Sequence, residues 1–278
     1  MVEKMELRDK RVLVTGAGRG IGRVIALAMA RQGAQVALLA RTRSQLEEVA
    51  AEIGALGREV QVYPVDMGKR EEIEAALGSV MENWGGVDVL VNNAGVQGPI
   101  GLSHEVDVEE WLEAVQVNLV GTFLCTRLVL PGMIERGYGK IVNLSGGGAV
   151  SPRPRFGAYS ASKAGVARFT ETLAAEVAEY GIDVNAVAPG SINTAMTDQV
   201  LAAGAAAGEE FELARQQRET GGQDVGRVAA LVVYLAAPRS DGLSGRLLSA
   251  VWDDWEHIDI EQVMASQVYT VRRLKPGE

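Results

Sequence analysis

Two groups of residues in this sequence have types and spacing suited to chemistry. The first is Tyr159-Ser160-Ala161-Ser162-Lys163. On a helix, residues four apart project from one face, so Tyr159 and Lys163 would stand side by side. A neighbouring ammonium favours the tyrosinate and lowers the tyrosine pKa, which makes a general acid or base usable near neutral pH. The same spacing also occurs in exposed helix pairs that do no chemistry. The second group is Thr15-Gly16-Ala17-Gly18-Arg19-Gly20-Ile21-Gly22. Glycines so placed permit a tight turn and let backbone N–H groups approach a pyrophosphate, provided that a strand precedes and a helix follows. The helix N-terminus then adds partial positive charge for the anion.

Other chemistries find little support. His104 and His257 are the only histidines and Cys125 the only cysteine, so no metal site is expected. A lone cysteine forms no intrachain disulfide, which suits a reducing compartment, the cytoplasm. A serine hydrolase elbow of the G-x-S-x-G type is missing. The net charge of −9 argues against a nucleic-acid partner, since phosphate backbones demand clustered Lys and Arg. With no uninterrupted apolar run of ~18 residues, no membrane partner is expected. Residues 1–10 lack the apolar stretch of a signal peptide.

The elements that must position the two groups follow from periodicity. Short aliphatic runs at 11–15, 35–40, 60–65, 87–92, 140–145, 183–188 and 246–251 read as strands. Ala-rich amphipathic segments at 21–32, 44–56, 70–84, 108–136, 159–180 and 224–236 read as helices. Ser44 is the expected N-cap of the second helix, and Gly33 the C-cap signal of the first. Strands separated by helices must pair in parallel through right-handed crossovers, which gives a three-layer, doubly wound α/β sheet. Residues 1–252 are expected to form one domain. Within it, residues 197–223 interrupt the rhythm and read as a substrate lid or a mobile surface loop. In the tail, 253–278, the segment 258–271 reads as an amphipathic helix docking on a neighbouring subunit, or as a frayed end.

The glycine turn implies a dinucleotide, and charge points to which one. NAD sites place an acid about 20 residues on, at the end of the second strand, to hold the ribose 2′-OH. Here no acid occurs from Lys10 to Leu46, a stretch that holds Lys10, Arg11, Arg19, Arg23, Arg31, Arg41 and Arg43. Arg41 falls just past the second strand and Arg19 inside the turn. An arginine suits a 2′-phosphate, which favours NADP(H) and leaves NAD(H) possible. The other reading is that Arg41 and Arg43 are solvated loop charges.

The motifs fall in one order: TGAGRGIG, then Asn92-Asn93-Ala94-Gly95, then Asn118, then YSASK, then Pro189-Gly190. In this order the sequence resembles the short-chain dehydrogenase/reductase family, over roughly residues 10–251. The resemblance implies a Rossmann-like fold of about seven strands and a homo-oligomer, tetramer or dimer. It implies an oxidoreductase that moves hydride between a nicotinamide and a small-molecule carbonyl or secondary alcohol. Tyr159 would be the general acid or base, Lys163 would hold the nicotinamide ribose and tune Tyr159, and Asn118 would sustain a proton-relay water chain. The cofactor would meet Gly16, Arg19, Gly20, Ile21, Gly22 and Arg41 at the turn and second strand, and Asp66 and Met67 at the adenine. Asn93, Ala94 and Gly95 would line it, and Pro189, Gly190, Ile192 and Thr194 would contact its nicotinamide half.

Two departures from the family pattern stand out. The family's catalytic serine, counted back from Tyr159, falls on Gly146, with Ser145 one place earlier. Either the loop carries a one-residue shift and Ser145 bonds the substrate oxygen, or that donor is missing; Ser145 is the expected donor. Near the end, Trp252 and Trp255 replace glycines and are expected to pack a modified subunit interface. Arg153 and Arg155, beside the pocket, could favour an anionic substrate or be solvated loop charges. Two other functions fit less well: a nucleotide-sugar epimerase or dehydratase, and a non-catalytic NADP(H)-binding sensor.

Overall fold

The structure, a computed structural model, describes residues 5–273. Its central strands are aliphatic runs buried on both faces, so they need cover above and below, while the edge strands are partly exposed. They are β1 (Arg11–Thr15), β2 (Gln35–Ala40), β3 (Val60–Pro64), β4 (Val89–Asn92), β5 (Gly139–Leu144), β6 (Ile182–Ala188) and β7 (Leu247–Ser249). They form one sheet in the order β3-β2-β1-β4-β5-β6-β7, with every pair parallel. This is the doubly wound, Rossmann-like sheet expected. Alternation decides the two cores: Val12, Val14, Val36 and Leu38 point to one face, Leu13, Ala37 and Leu39 to the other.

The first face is covered by α1 (Gly20–Arg31), α2 (Arg43–Ala55) and, later in the chain, the helix Val225–Ala236. The second is covered by α3 (Arg70–Trp84) and by the continuous helical run Val108–Arg136. That run consists of α4 (Val108–Val115), a π-helical turn (Gln116–Val120) and α5 (Gly121–Arg136). By length and composition it would suit a membrane span, which the sequence reading did not foresee. Half of its most apolar window is buried inside the fold, as in a core helix. Next come α6 (Gly157–Glu176), α7 (Ala195–Ala203), α8 (Glu209–Thr220), α9 (Val225–Ala236) and α10 (Ile260–Met264). The strand order reverses between β1 and β4, so a crevice opens beyond their carboxyl ends, where such sheets bind ligands.

Several boundaries differ from expectation. α2 starts at Arg43, and Thr42, not Ser44, takes its N-cap position, without a side-chain bond. α6 starts two residues earlier than its pattern, after the loop turns at Arg155 (φ 72°). Segment 197–223 is not a loop. Thr194 opens α7 with a reciprocal capping box to Thr197, and Gly204 and Gly208 turn the chain at positive φ into α8.

The tail also differs. Of the expected helical segment 258–271 only Ile260–Met264 is α-helical, and the described part of the tail packs on its own chain. The Leu247 N–H donates to the Tyr269 carbonyl at 2.8 Å, and the Arg246 guanidinium donates to the carbonyls of Val263 (3.0 Å) and Ser266 (3.2 Å). Sheet-edge groups and a buried arginine thus capture the segment before it can extend as a helix. Trp255 is buried against Tyr234 in the same core, so it packs this chain's interior, whereas Trp252 is 80% exposed. Residues 274–278 of the tail and residues 1–4 lie outside the described residues.

Candidate active site

The glycine turn joins β1 to α1 at the switch point. Gly16 (φ 65°) and Gly20 (φ 55°) take left-handed conformations. A Cβ on Gly22 would collide with the Gly16 carbonyl oxygen, and one on Gly16 would lie 2.8 Å from Ala94 Cα. The turn is therefore a cradle that side chains would fill. No side chain caps the α1 N-terminus and its first turn holds no acid, so those amides are left for an anion. Asn93 braces the cradle: its Nδ2 donates to the carbonyls of Thr15 (2.9 Å) and Gly16 (3.2 Å). Thr15 Oγ1 accepts the Asn93 and Ala94 N–H groups, each at 3.0 Å.

A cleft of about 520 Å³ runs from this cradle. It is lined by Gly16, Arg19, Gly20, Ile21 and Gly22, by Arg41 beyond β2, and by Asp66 and Met67 beyond β3. Asn93, Ala94 and Gly95 follow from β4, then Ser145, Tyr159, Lys163, Pro189 and Thr194. Three expected site residues do not line it. Gly190 (φ 81°) turns the chain against Gln223, Ile192 is buried in the core, and Asn118 is wholly buried behind the cleft. Gln45, Met196 and Gln199 line it without having been foreseen. Gln45 in the first turn of α2 and Met196 and Gln199 on α7 carry no motif that marks them in the sequence.

α6 brings Tyr159 and Lys163 together, 8% and 4% exposed, with Lys163 Nζ 5.8 Å from the tyrosine ring centre. Among the described residues, no group hydrogen-bonds the Tyr159 hydroxyl. Lys163 Nζ donates to the Leu144 carbonyl at 2.7 Å, and burial lowers its pKa to about 8. Burial pushes the Tyr159 phenol up, and the charge of Arg153 pulls it back. A Cβ on Gly95 would lie 3.2 Å from Asn118 Oδ1 and 3.4 Å from Lys163 Nζ, so the loop after β4 runs close against both side chains. The π turn aims Asn118 inward, where its amide accepts from the Val96 N–H (2.8 Å) and donates to the Val96 carbonyl (2.9 Å) and Ser162 Oγ (3.0 Å). This side chain ties the loop after β4 to α6.

Ser145 does not face the tyrosine hydroxyl. Its N–H continues the ladder to the Val187 carbonyl at 2.8 Å, and its Oγ donates to the Lys163 carbonyl at 3.1 Å. The ladder fixes which face of the sheet this side chain takes, and there its hydroxyl is engaged with α6. Gly146 is the residue beside the phenol. A Cβ there would collide with Tyr159 Oη and lie 3.2 Å from its Cζ.

Residues 10–204 match the family model for short chain dehydrogenase. The chain belongs to the short-chain dehydrogenase family. It is 36% identical over 249 residues to a 3-oxoacyl-(acyl-carrier-protein) reductase of Staphylococcus epidermidis, covering 86% of this chain and 96% of the relative. Among solved structures, it is similar to an actinorhodin polyketide ketoreductase with NADPH (TM-score 0.80, 36% identity, 87% of this chain and 95% of that one). It is also similar to an NAD+-bound xylitol dehydrogenase (TM-score 0.82, 29% identity, 88% and 98%). The protein is therefore an oxidoreductase that acts on a CH–OH or carbonyl group with a nicotinamide dinucleotide.

The arginines of this family member divide into two sets. Arg11 forks onto Asp88, Arg23 pairs with Glu52 at 2.7 Å, and Arg43 lies 3.6 Å from Glu47. Among the described residues, Arg19 and Arg41 pair with no carboxylate, and both line the cleft. Arg153 and Arg155 are not solvated loop charges. Arg153 pairs with Glu210 on α8 at 2.8 Å, and Arg155 donates to the Ala206 carbonyl at 3.2 Å.

Proposed function

We propose that the protein is an NADP(H)-dependent oxidoreductase in which Tyr159 exchanges the proton with the oxygen of a carbonyl or secondary alcohol. The observation that carries this reading is the Tyr159 hydroxyl. It tops a buried ring, has no protein partner among the described residues, and opens on a cleft that also holds the glycine cradle. A hydroxyl that opens on the cleft with no protein partner is free to hydrogen-bond a substrate oxygen there.

The cradle residues suit a dinucleotide. The amides at Gly20, Ile21 and Gly22 would hold the pyrophosphate, and Asp66 and Met67 would flank the adenine. Asn93, Ala94 and Gly95 would line the middle of the cofactor, and Pro189 and Thr194 the nicotinamide half. Gly190 and Ile192 would act from behind, by shaping that turn. When bound, the nicotinamide supplies or accepts the hydride. Tyr159 gives its proton to the developing alkoxide in reduction and takes it back in oxidation. Lys163, protonated at neutral pH, would hold the ribose and favour the tyrosinate. Asn118 would keep the loop after β4 in register with α6, and Ser145 would hold α6 through the Lys163 carbonyl. Segment 197–223 would cover the substrate as a helical lid on a single domain spanning residues 1–252.

Cofactor choice rests on Arg19 and Arg41, the cleft arginines with no carboxylate to neutralise them. In Arg41→Ala, affinity for NADPH should fall about tenfold or more while affinity for NADH stays level, since a charge-assisted bond to phosphate contributes ~1.5–3 kcal/mol. Equilibrium binding of the two coenzymes measures this; an equal loss for both would remove the 2′-phosphate assignment. The name of the 3-oxoacyl reductase relative supports a 3-oxoacyl substrate, and that of the ketoreductase a ketone. A panel of 3-oxoacyl thioesters, simple ketones and secondary alcohols, followed by NADPH absorbance, tests the whole reading. We further infer a homo-oligomer, dimer or tetramer, from the exposed Leu112, Phe123 and Trp252, and a cytoplasmic setting from the lone buried Cys125.

A further inference from the structure

The proton transfer proposed above makes no use of Arg153, yet this side chain sits between the lid and the tyrosine. Arg153 leaves the β5–α6 loop and meets Glu210 on α8 at 2.8 Å, their side chains only 20% and 28% exposed. Its guanidinium lies 4.0 Å from the Phe156 ring centre and 5.7 Å from that of Tyr159. Phe156 and Tyr159 share one apolar cluster with Val200 of α7 and Ala214 of α8. The other charged group near the Tyr159 ring is Lys163 on its own helix, whereas Arg155 on the preceding loop turns to the Ala206 carbonyl. On the lid, Asp198 of α7 is paired with Arg218 of α8, and the α4 carboxylates Glu109, Glu110 and Glu113 are exposed.

We propose that Arg153 is a positioning residue that couples the lid to the acid–base tyrosine, pinning α8 through Glu210 while holding a cationic group against the Tyr159 ring. The inference rests on the reading of Tyr159 as the proton-transfer group. A cation near a phenol favours its ionised form, and the charge of Arg153 opposes the upward push of burial on Tyr159. Glu210 partly cancels that cation while α8 is docked. Position 146 offers no hydroxyl to share the substrate oxygen, so the ionisation of Tyr159 carries more of the chemistry. Lid closure and tyrosine acidity are thereby linked through one ion pair.

The test compares Arg153→Gln with Glu210→Gln in the full-length protein. Tyrosinate absorbance is titrated for each variant against the same variant carrying Tyr159→Phe, which isolates Tyr159. Both variants break the pin, so amide exchange in residues 209–220 should quicken several-fold in each. The ionisation of Tyr159 should instead move in opposite directions. Arg153→Gln should raise its pKa by roughly half a unit or more, and Glu210→Gln should lower it by a similar step. Arg155→Gln loosens the same lid by a different contact and should quicken exchange without moving Tyr159. A shift in the same direction in Arg153→Gln and Glu210→Gln, or in neither, overturns the proposal. The titration needs no turnover, so its failure is separate from a failure of the enzymatic reading, which Tyr159→Phe activity decides.

Discussion

Tyr159→Phe should lower turnover by ~10³-fold or more, within the range that a positioned general acid or base supplies. The substitution removes one oxygen and nothing else. The ring keeps its packing against Phe156 and Val200, and the lost hydroxyl has no protein hydrogen bond among the described residues to forfeit. Thermal unfolding should therefore be unchanged within about 1 kcal/mol, and coenzyme binding should survive. NADPH oxidation by the best substrate of the panel, with a melting curve on the same sample, separates chemistry from folding. Activity within tenfold of the unaltered protein would show that another group moves the proton. The pH profile carries a second sign. Reduction needs the phenol protonated, so kcat should fall as pH rises through the tyrosine's ionisation. Lys163, lowered to about 8 by burial, loses its charge at a lower pH than the phenol, which burial pushes up. The ribose contact and the field on Tyr159 would then weaken together.

The fold was largely legible because its signals are local. Runs such as Val12-Leu13-Val14 and Val36-Ala37-Leu38 give strand position, and the intervening helices leave only parallel pairing. The cradle was legible for the same reason, since a glycine turn between strand and helix is a property of a few adjacent residues. What failed was set by distant partners. The tail looked free to extend, but the edge of β7 and the Arg246 guanidinium draw it in. Arg153 looked like a loop charge because Glu210, its partner, is 57 positions away on a lid whose helices were not anticipated. Asn118 fell within a helix correctly placed overall. The π turn that aims it inward is a local irregularity that apolar periodicity does not register.

The serine position sets the second large effect. Sequence counting offered two outcomes, a shifted Ser145 or a missing donor, and the bond from the Ser145 hydroxyl to the Lys163 carbonyl favours the latter. With no side chain at Gly146, the Tyr159 hydroxyl occupies the space that a Cβ would take. Gly146→Ser would seem to restore the family's hydroxyl, yet it should lower kcat by ~10²-fold. To admit the new Cβ the phenol must retreat by about 1 Å, and a misplacement of that size costs about this much in rate. Gly146→Ala should lose as much, because the collision belongs to Cβ and not to the hydroxyl. Overpacking adds ~1–3 kcal/mol of destabilisation, so a fall of a few degrees in Tm should accompany both variants. A rise in kcat in the serine variant, with none in the alanine variant, would mean that the pocket re-forms around a second donor and that its absence limits the present enzyme. The paired substitutions thus ask whether this site was built around a single hydroxyl or has merely lost one.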